Sequence, residues 1–206
     1  MTDITPSIPA PRLPGRPREF EMEEALDKAI VVFSERGYHA ASISELTEAM
    51  GLTAGSLYKA FGDKMAIFLA AFDRYKQVRN GLLEQELVEG SSGRDKVFRM
   101  LRFYAEASHG EYGRRGCLVV GTAIELAILD AEAAERVNRS MARSEALFNA
   151  MIREGQADGS IRGSLDSNAA ARLLLSVTQG LRVLGKAGTD RDRALSVAEM
   201  AMNILD

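Results

Sequence analysis

All five prolines of this chain, Pro6, Pro9, Pro11, Pro14 and Pro17, fall within its first seventeen residues. Proline removes a backbone donor and clashes with the preceding helical turn, so its confinement there leaves everything from Glu19 onward free to be helical. Apolar residues then recur at three- and four-residue spacing almost everywhere, as in Leu26, Ala29, Ile30 and Phe33, or Ile67, Phe68, Ala71, Phe72 and Tyr75. The pattern predicts an all-α fold. A proline-rich tail over 1–18 is expected to be extended, and its Arg12, Arg16 and Arg18 have no acid between them. Such a basic arm can reach into a DNA minor groove, or it can be a solvated leader.

The stretch from Gly37 to Lys64 reads as two short helices joined by a tight turn. Ser42 followed by Glu45 fits a capping box, in which hydroxyl and carboxylate reciprocally satisfy the free amides of a helix start. Ile43, Leu46 and Met50 share one face of that helix, and Gly51 supplies the left-handed residue that ends it. Thr53 can cap a second short helix whose Leu57 and Phe61 face the first, leaving Ser56, Lys59 and the polar edge of Tyr58 outside. A helix so exposed suits the DNA major groove, with the Thr53 and Ser56 hydroxyls placed for phosphate oxygens. Gly55 keeps the entry free of side-chain bulk. The alternative is an ordinary helical hairpin in an all-α core.

The positions Gly37, Tyr38, Ser42, Gly51, Gly55, Tyr58, Phe61 and Lys64 make this segment similar to the DNA-binding domain of the TetR-type (tetracycline-repressor-like) regulators. The resemblance covers about residues 20–68. It implies phosphate contacts from Ser42, Thr53, Tyr58 and Lys64, and base-facing roles around Ala54, Gly55 and Lys59. It also implies double-stranded operator DNA as partner, repression relieved by a small effector, a homodimer formed through the last two helices, and no cofactor. Thr47 and Met50 stand where the family often has alanine, which alters packing. Ala60 replaces a common histidine and removes a possible backbone contact. The expected division is a tail over 1–18, a three-helix helix-turn-helix DNA-binding domain over 19–68, and a helical effector-binding and dimerisation domain over 69–206.

A net charge of -3 and a pI near 5.6 exclude nucleic-acid binding by bulk electrostatics, so DNA contact has to come from a local patch. One cysteine allows no intramolecular disulfide framework, and with no secretion pattern or membrane-length apolar run a cytoplasmic protein is expected. Asn138-Arg139-Ser140 matches a glycosylation triplet that has no consequence without secretion.

In the body, Leu173, Val177, Leu181 and Leu184, then Val197, Ala201 and Ile204, follow the spacing of bundle seams and are expected to pair two protomers; packing against the chain's own body is the alternative. An apolar effector pocket is expected from some of Phe98, Leu101, Tyr104, Cys117, Val120, Ile124, Phe148 and Met151, with Glu125 or Gln179 as polar contacts. Glu125 also fits simple structural pairing. Cys117, at a helix start after Arg114 and Arg115, has a setting that favours thiolate, yet a lone cysteine beside Leu118, Val119 and Val120 also reads as plain core. A redox- or electrophile-sensing regulator, an enzyme with Cys117 as nucleophile, and a partner-binding adaptor are the competing readings. His39 and His109 give no metal set. Gly180 to Lys186 matches a phosphate-binding loop up to the lysine, but Ala187 follows and the match lies inside a helical stripe.

Overall fold

The computed structural model describes residues 16–206, with side chains from Met22 onward. Arg12 and the remainder of the tail to residue 15 lie outside the described residues, as do the side chains of Arg16 and Arg18. Helix α1 spans Arg16–Ala40 and so takes in the end of the expected tail. Pro17 is tolerated there because first-turn amides have no helical partner to lose. Gly37, at φ 79° and ψ 176°, breaks α1 three residues before its end.

Three helices follow: α2 (Ile43–Met50), α3 (Ala54–Phe61) and α4 (Lys64–Val88), the last opened by the Asp63 carboxylate, which accepts the Ala66 N–H at 2.8 Å. The body comprises α5 (Gly93–Glu106), α6 (Gly110–Arg115), α7 (Leu118–Glu125), α8 (Ala131–Asp158), α9 (Ser167–Ala187), α10 (Arg191–Ala201) and a closing 3-10 turn, Met202–Leu205. Ser92, Asp130, Asp166 and Asp190 cap α5, α8, α9 and α10 with side-chain oxygens, which fixes where each begins. No strand occurs among the described residues.

Two boundaries are not those that the sequence suggests. Gly110, Gly113 and Gly116 read as a glycine-broken loop, but the first two fall in the short helix α6, where Gly113 packs against the Ser108 backbone. The apolar run from Cys117 to Leu129 reads as one helix, but α7 stops at Glu125, because the Leu126 and Ala127 amides both turn to the Thr122 carbonyl. Ile128 and Leu129 are left exposed.

One core joins α1 to α4 and reaches into the body through Leu118, Val119, Leu126 and Val137. A second fills the body between α5, α8, α9 and α10. Helix α4 crosses from the first, through Phe68 and Phe72, to the second, through Leu83. Helix α7 lies on α1. Body and head touch through these two helices, through α6 and through Lys186 of α9.

Candidate functional site

Helix α2 begins at Ser42, whose Oγ accepts the Glu45 N–H at 3.1 Å while Glu45 Oε2 accepts the Ser42 N–H at 2.9 Å. Bonds from the Ser42 amide and hydroxyl, with Arg36 nearby, hold the Glu45 carboxyl below its usual range. The Ser42 proton goes to Glu45 as well, at 2.9 Å, so a phosphate oxygen at Ser42 would have to displace that bond. Gly51, at φ 68°, ends α2.

Helix α3 starts at Thr53, whose Oγ1 accepts the Ser56 N–H at 3.2 Å and donates to Ser56 Oγ at 3.0 Å. Leu57 is buried against the head core, and Thr53, Ala54, Gly55, Ser56 and Lys59 are exposed, with Tyr58 at 45%. One full face of α3 therefore meets solvent. Lys64 is less free: its Nζ donates to the His39 carbonyl at 3.3 Å and lies 4.7 Å from the Tyr38 ring centre.

The break at Gly37 leaves carbonyls before it and amides after it without helical partners. Lys186 of α9 takes the carbonyls, with Nζ donating to Ser34 O at 3.0 Å, Glu35 O at 3.2 Å and Arg115 O at 2.9 Å. Glu125, the last residue of α7, takes the amides: Oε2 accepts from Tyr38 N at 2.9 Å and Oε1 from His39 N at 2.6 Å. A side chain at position 37 is disfavoured by the φ of 79°, and its Cβ, 2.5 Å from Glu125 Oε2, would push that carboxylate off the break. The chain entering α2 is thus clamped by two body side chains of opposite charge. Of its two expected roles, Glu125 takes structural pairing.

Comparison with known proteins decides what this head belongs to. The family model for bacterial regulatory proteins of the tetR family matches residues 25–71, and that for the tetracyclin repressor-like C-terminal domain matches residues 93–201. The chain belongs to the TetR family. It is 27% identical to YezE of Bacillus subtilis, an HTH-type transcriptional regulator, over 93% of this chain and all of that one. It is 26% identical to the E. coli K12 repressor ComR, over 98% and 96% of the two chains. Among solved structures, a cysteine-substituted TetR-family regulator CifR, complexed with 26-bp double-strand operator DNA, is 31% identical with a TM-score of 0.78, over 96% of this chain and all of that one. TetR-family membership makes the chain a DNA-binding transcriptional regulator and not an enzyme, which removes the reading of Cys117 as a catalytic nucleophile.

In this TetR-family body the residues expected to line one pocket are dispersed. Tyr104, Cys117 and Gln179 border a small, partly open cavity of about 20 Å³ together with Tyr75, Lys76 and Arg79. Val120 and Ile124 border a more open groove of about 310 Å³, shared with Cys117, Arg182 and Val183. Leu101, Phe148 and Met151 reach neither, being buried in the second core, and Phe98 packs on that core. Their apolar stripes fill solid packing on the side of α5 and α8 that faces α10. Tyr75, Lys76, Arg79 and Arg182 were not anticipated, although Lys76 and Arg79 are cations three apart beside an apolar stripe of α4.

Cys117 is the residue common to cavity and groove. Tyr75 Oη donates to its Sγ at 3.6 Å. Burial pushes the thiol up, but the Arg182 charge, the Val120 N–H and the Tyr75 hydroxyl outweigh it and bring the thiol below its ordinary value. Arg182, 2% exposed, donates to Gly116 O at 3.0 Å and Ser108 Oγ at 3.4 Å. The phosphate-loop match proves to be helix packing: a Cβ at Gly185 would lie 2.5 Å from Ser108 O, so α9 needs glycine there to approach.

The expected seam also divides. Leu181 is 1% exposed and belongs to the chain's own core, so it is not available to a partner. Val177, Ala201 and Ile204 are half-buried against the same core. Leu173, Leu184 and Val197 face outward, and Val183 and Met200, not anticipated, extend that face. Among the described residues no helix is long and apolar enough to cross a membrane.

Proposed function

We propose that the chain is a cytoplasmic homodimeric repressor that reads an inverted-repeat operator with α3 of each protomer and releases it when a small effector occupies the body beside Cys117. The observation carrying this reading is the placement of α7. Its N-cap is Cys117, at the cavity, and its last residue is Glu125, on the break in α1 that leads into the helix-turn-helix. An eight-residue helix thereby connects the ligand space to the entrance of the head. An effector that binds one position of α7 better than another shifts the head between DNA-competent and incompetent settings, and unequal affinity for the two is all that coupling requires.

On the DNA, the free amides at the start of α3 and the Thr53 and Ser56 hydroxyls meet phosphate oxygens, while Ala54, Gly55 and Lys59 face base edges. Tyr58 and Lys64 position the head on the backbone, Ser42 joins them by opening its bond to Glu45, and Arg16 and Arg18 add charge from the N-terminal arm. The exposed residues of α9 and α10, Leu173, Val183, Leu184, Val197 and Met200, pair two protomers, in keeping with TetR-family dimerisation through the C-terminal domain. Selection of bound fragments from a random duplex library tests the reading. It should enrich an inverted repeat with half-sites about one helical turn apart, ~10 bp, or a multiple of it. Enrichment of no sequence, or of a single unrepeated site, would refute it.

A second reading is favoured by the depressed Cys117 thiol beside Arg182: the signal is an electrophile or oxidant and the thiolate its target. Cys117→Ser then keeps operator affinity and loses release by electrophiles. Release that persists in Cys117→Ser assigns the signal to a non-covalent ligand.

A further inference from the structure

The space around Cys117 carries an imbalance of charge. Lys76 and Arg79 border the cavity, and Arg182 and Lys186 border the adjoining groove, the Lys186 ammonium being taken up by the Ser34, Glu35 and Arg115 carbonyls and the other three having no such set. The guanidinium groups of Arg79 and Arg182 lie 5.7 and 5.5 Å from the same Tyr112 ring, which places them in one neighbourhood. No carboxylate borders either space. Among the described residues, none of Lys76, Arg79 and Arg182 forms a salt bridge with an Asp or Glu. A Cys117 thiolate offsets at most one of three positive charges. Other basic groups nearby do have carboxylate partners: Arg74 with Asp27, Arg136 with Asp73 and Arg143 with Glu84.

Arg182 is buried and Lys76 and Arg79 are half-buried, charge withdrawn from water without an opposite charge is costly, and a protein with a net charge of -3 has ample acid with which to pair these three. We propose that the cluster is an anion site and that the effector is an oxyanion-headed molecule with an apolar body, a monocarboxylate being its simplest form. The smaller cavity, at about 20 Å³, leaves room only for a compact head, reached by Lys76 and Arg79 with Gln179 as a neutral donor. The groove of about 310 Å³ on the other side of Cys117 is walled by Val120, Ile124, Val183 and Ala187 and suits a hydrocarbon body, with Arg182 at the junction. Burial pulls the Lys76 ammonium below its ordinary value, so an incoming anion strengthens its protonation.

This inference rests on the reading that the body binds the effector, and calorimetry on the full-length dimer separates the two. The probes are hexanoate, benzoate and hexyl phosphate, each set against its neutral counterpart, hexanamide, benzamide or hexanol. At least one anion should bind while its neutral counterpart does not, and Lys76→Met and Arg79→Met should each weaken it by about thirtyfold or more, the loss typical of removing one member of a buried charge pair. Lys76→Met should also raise the Tm of the ligand-free protein, because it removes an uncompensated charge. Binding by neither class, or equal binding of anion and neutral counterpart, overturns the anion site, as does a lowered Tm for Lys76→Met with binding unchanged. Anion binding that leaves operator affinity unaltered supports the site and refutes its role in release. Release by neutral compounds with anions inert does the reverse.

Discussion

Lys59 stands on the open face of α3, while Lys64 is held by the His39 carbonyl and the Tyr38 ring. The two lysines should therefore fail differently. Lys59→Ala should relax preference at one base pair by about 1–3 kcal/mol, whereas Lys64→Ala and Tyr58→Phe should weaken all sequences alike. Lys64→Ala should also flatten the dependence of log affinity on log salt by about one unit. Competition binding over a salt series reads both effects, and an unchanged slope counts against Lys64. Cys117 makes a prediction about pH. Its thiol ionises more readily folded than unfolded, so ionisation stabilises the fold above the ordinary thiol pKa of about 8.5, and that contribution is lost as pH falls through the lower folded value. Alkylation rates should show a midpoint below that of the same thiol in the unfolded chain, and it should move upward in Arg182→Met. A midpoint that ignores Arg182 contradicts this account of the thiol. Residue roles were legible in the sequence where partners are close: the Ser42–Glu45 and Thr53–Ser56 pairs lie three apart. Glu125 and Lys186 find theirs 71 to 152 residues away, which no local pattern encodes.

At the scale of elements, the clamp on α1 is where head and body exchange information. Glu125→Ala should leave the helices intact and speed hydrogen exchange at the Tyr38 and His39 amides, which lose their acceptor. Amides inside α2 and α3, bonded within their own helices, should change little. Equal protection at Tyr38 and His39 in the variant would mean that the clamp does not hold the head. Most helices and their boundaries, including the end of regular α1 near Gly37, could be read from glycines, capping residues and spacing, because helices are local structures. The short helix α6 and the stop of α7 at Glu125 could not, since they depend on Gly113 packing on Ser108 and on a carboxylate whose partners lie on α1. The stripes of α5 and α8 showed which residues are buried without showing against what. Hence Leu101, Phe148 and Met151 were assigned to a pocket that the second core fills.

For the whole molecule, the outward face of α9 and α10 separates assembly from folding. Leu184 is 51% exposed, so Leu184→Glu should give folded monomers with little operator affinity, as sedimentation reads directly. Leu181→Ala should instead cost about 2–5 kcal/mol of stability, because it opens a cavity in the protomer's own core. A spacing of three and four made both leucines look alike, and only the packing of α9 on the body distinguishes them. The central claim is that two such heads, set by one dimer, read a two-fold site. Footprinting the DNA that flanks the protein's own coding sequence tests it most directly. The wild-type protein should protect two half-sites about one helical turn apart, or a multiple of it, and Leu184→Glu should protect neither. Full protection by a monomeric Leu184→Glu, or no protection by a folded wild-type dimer, would contradict it.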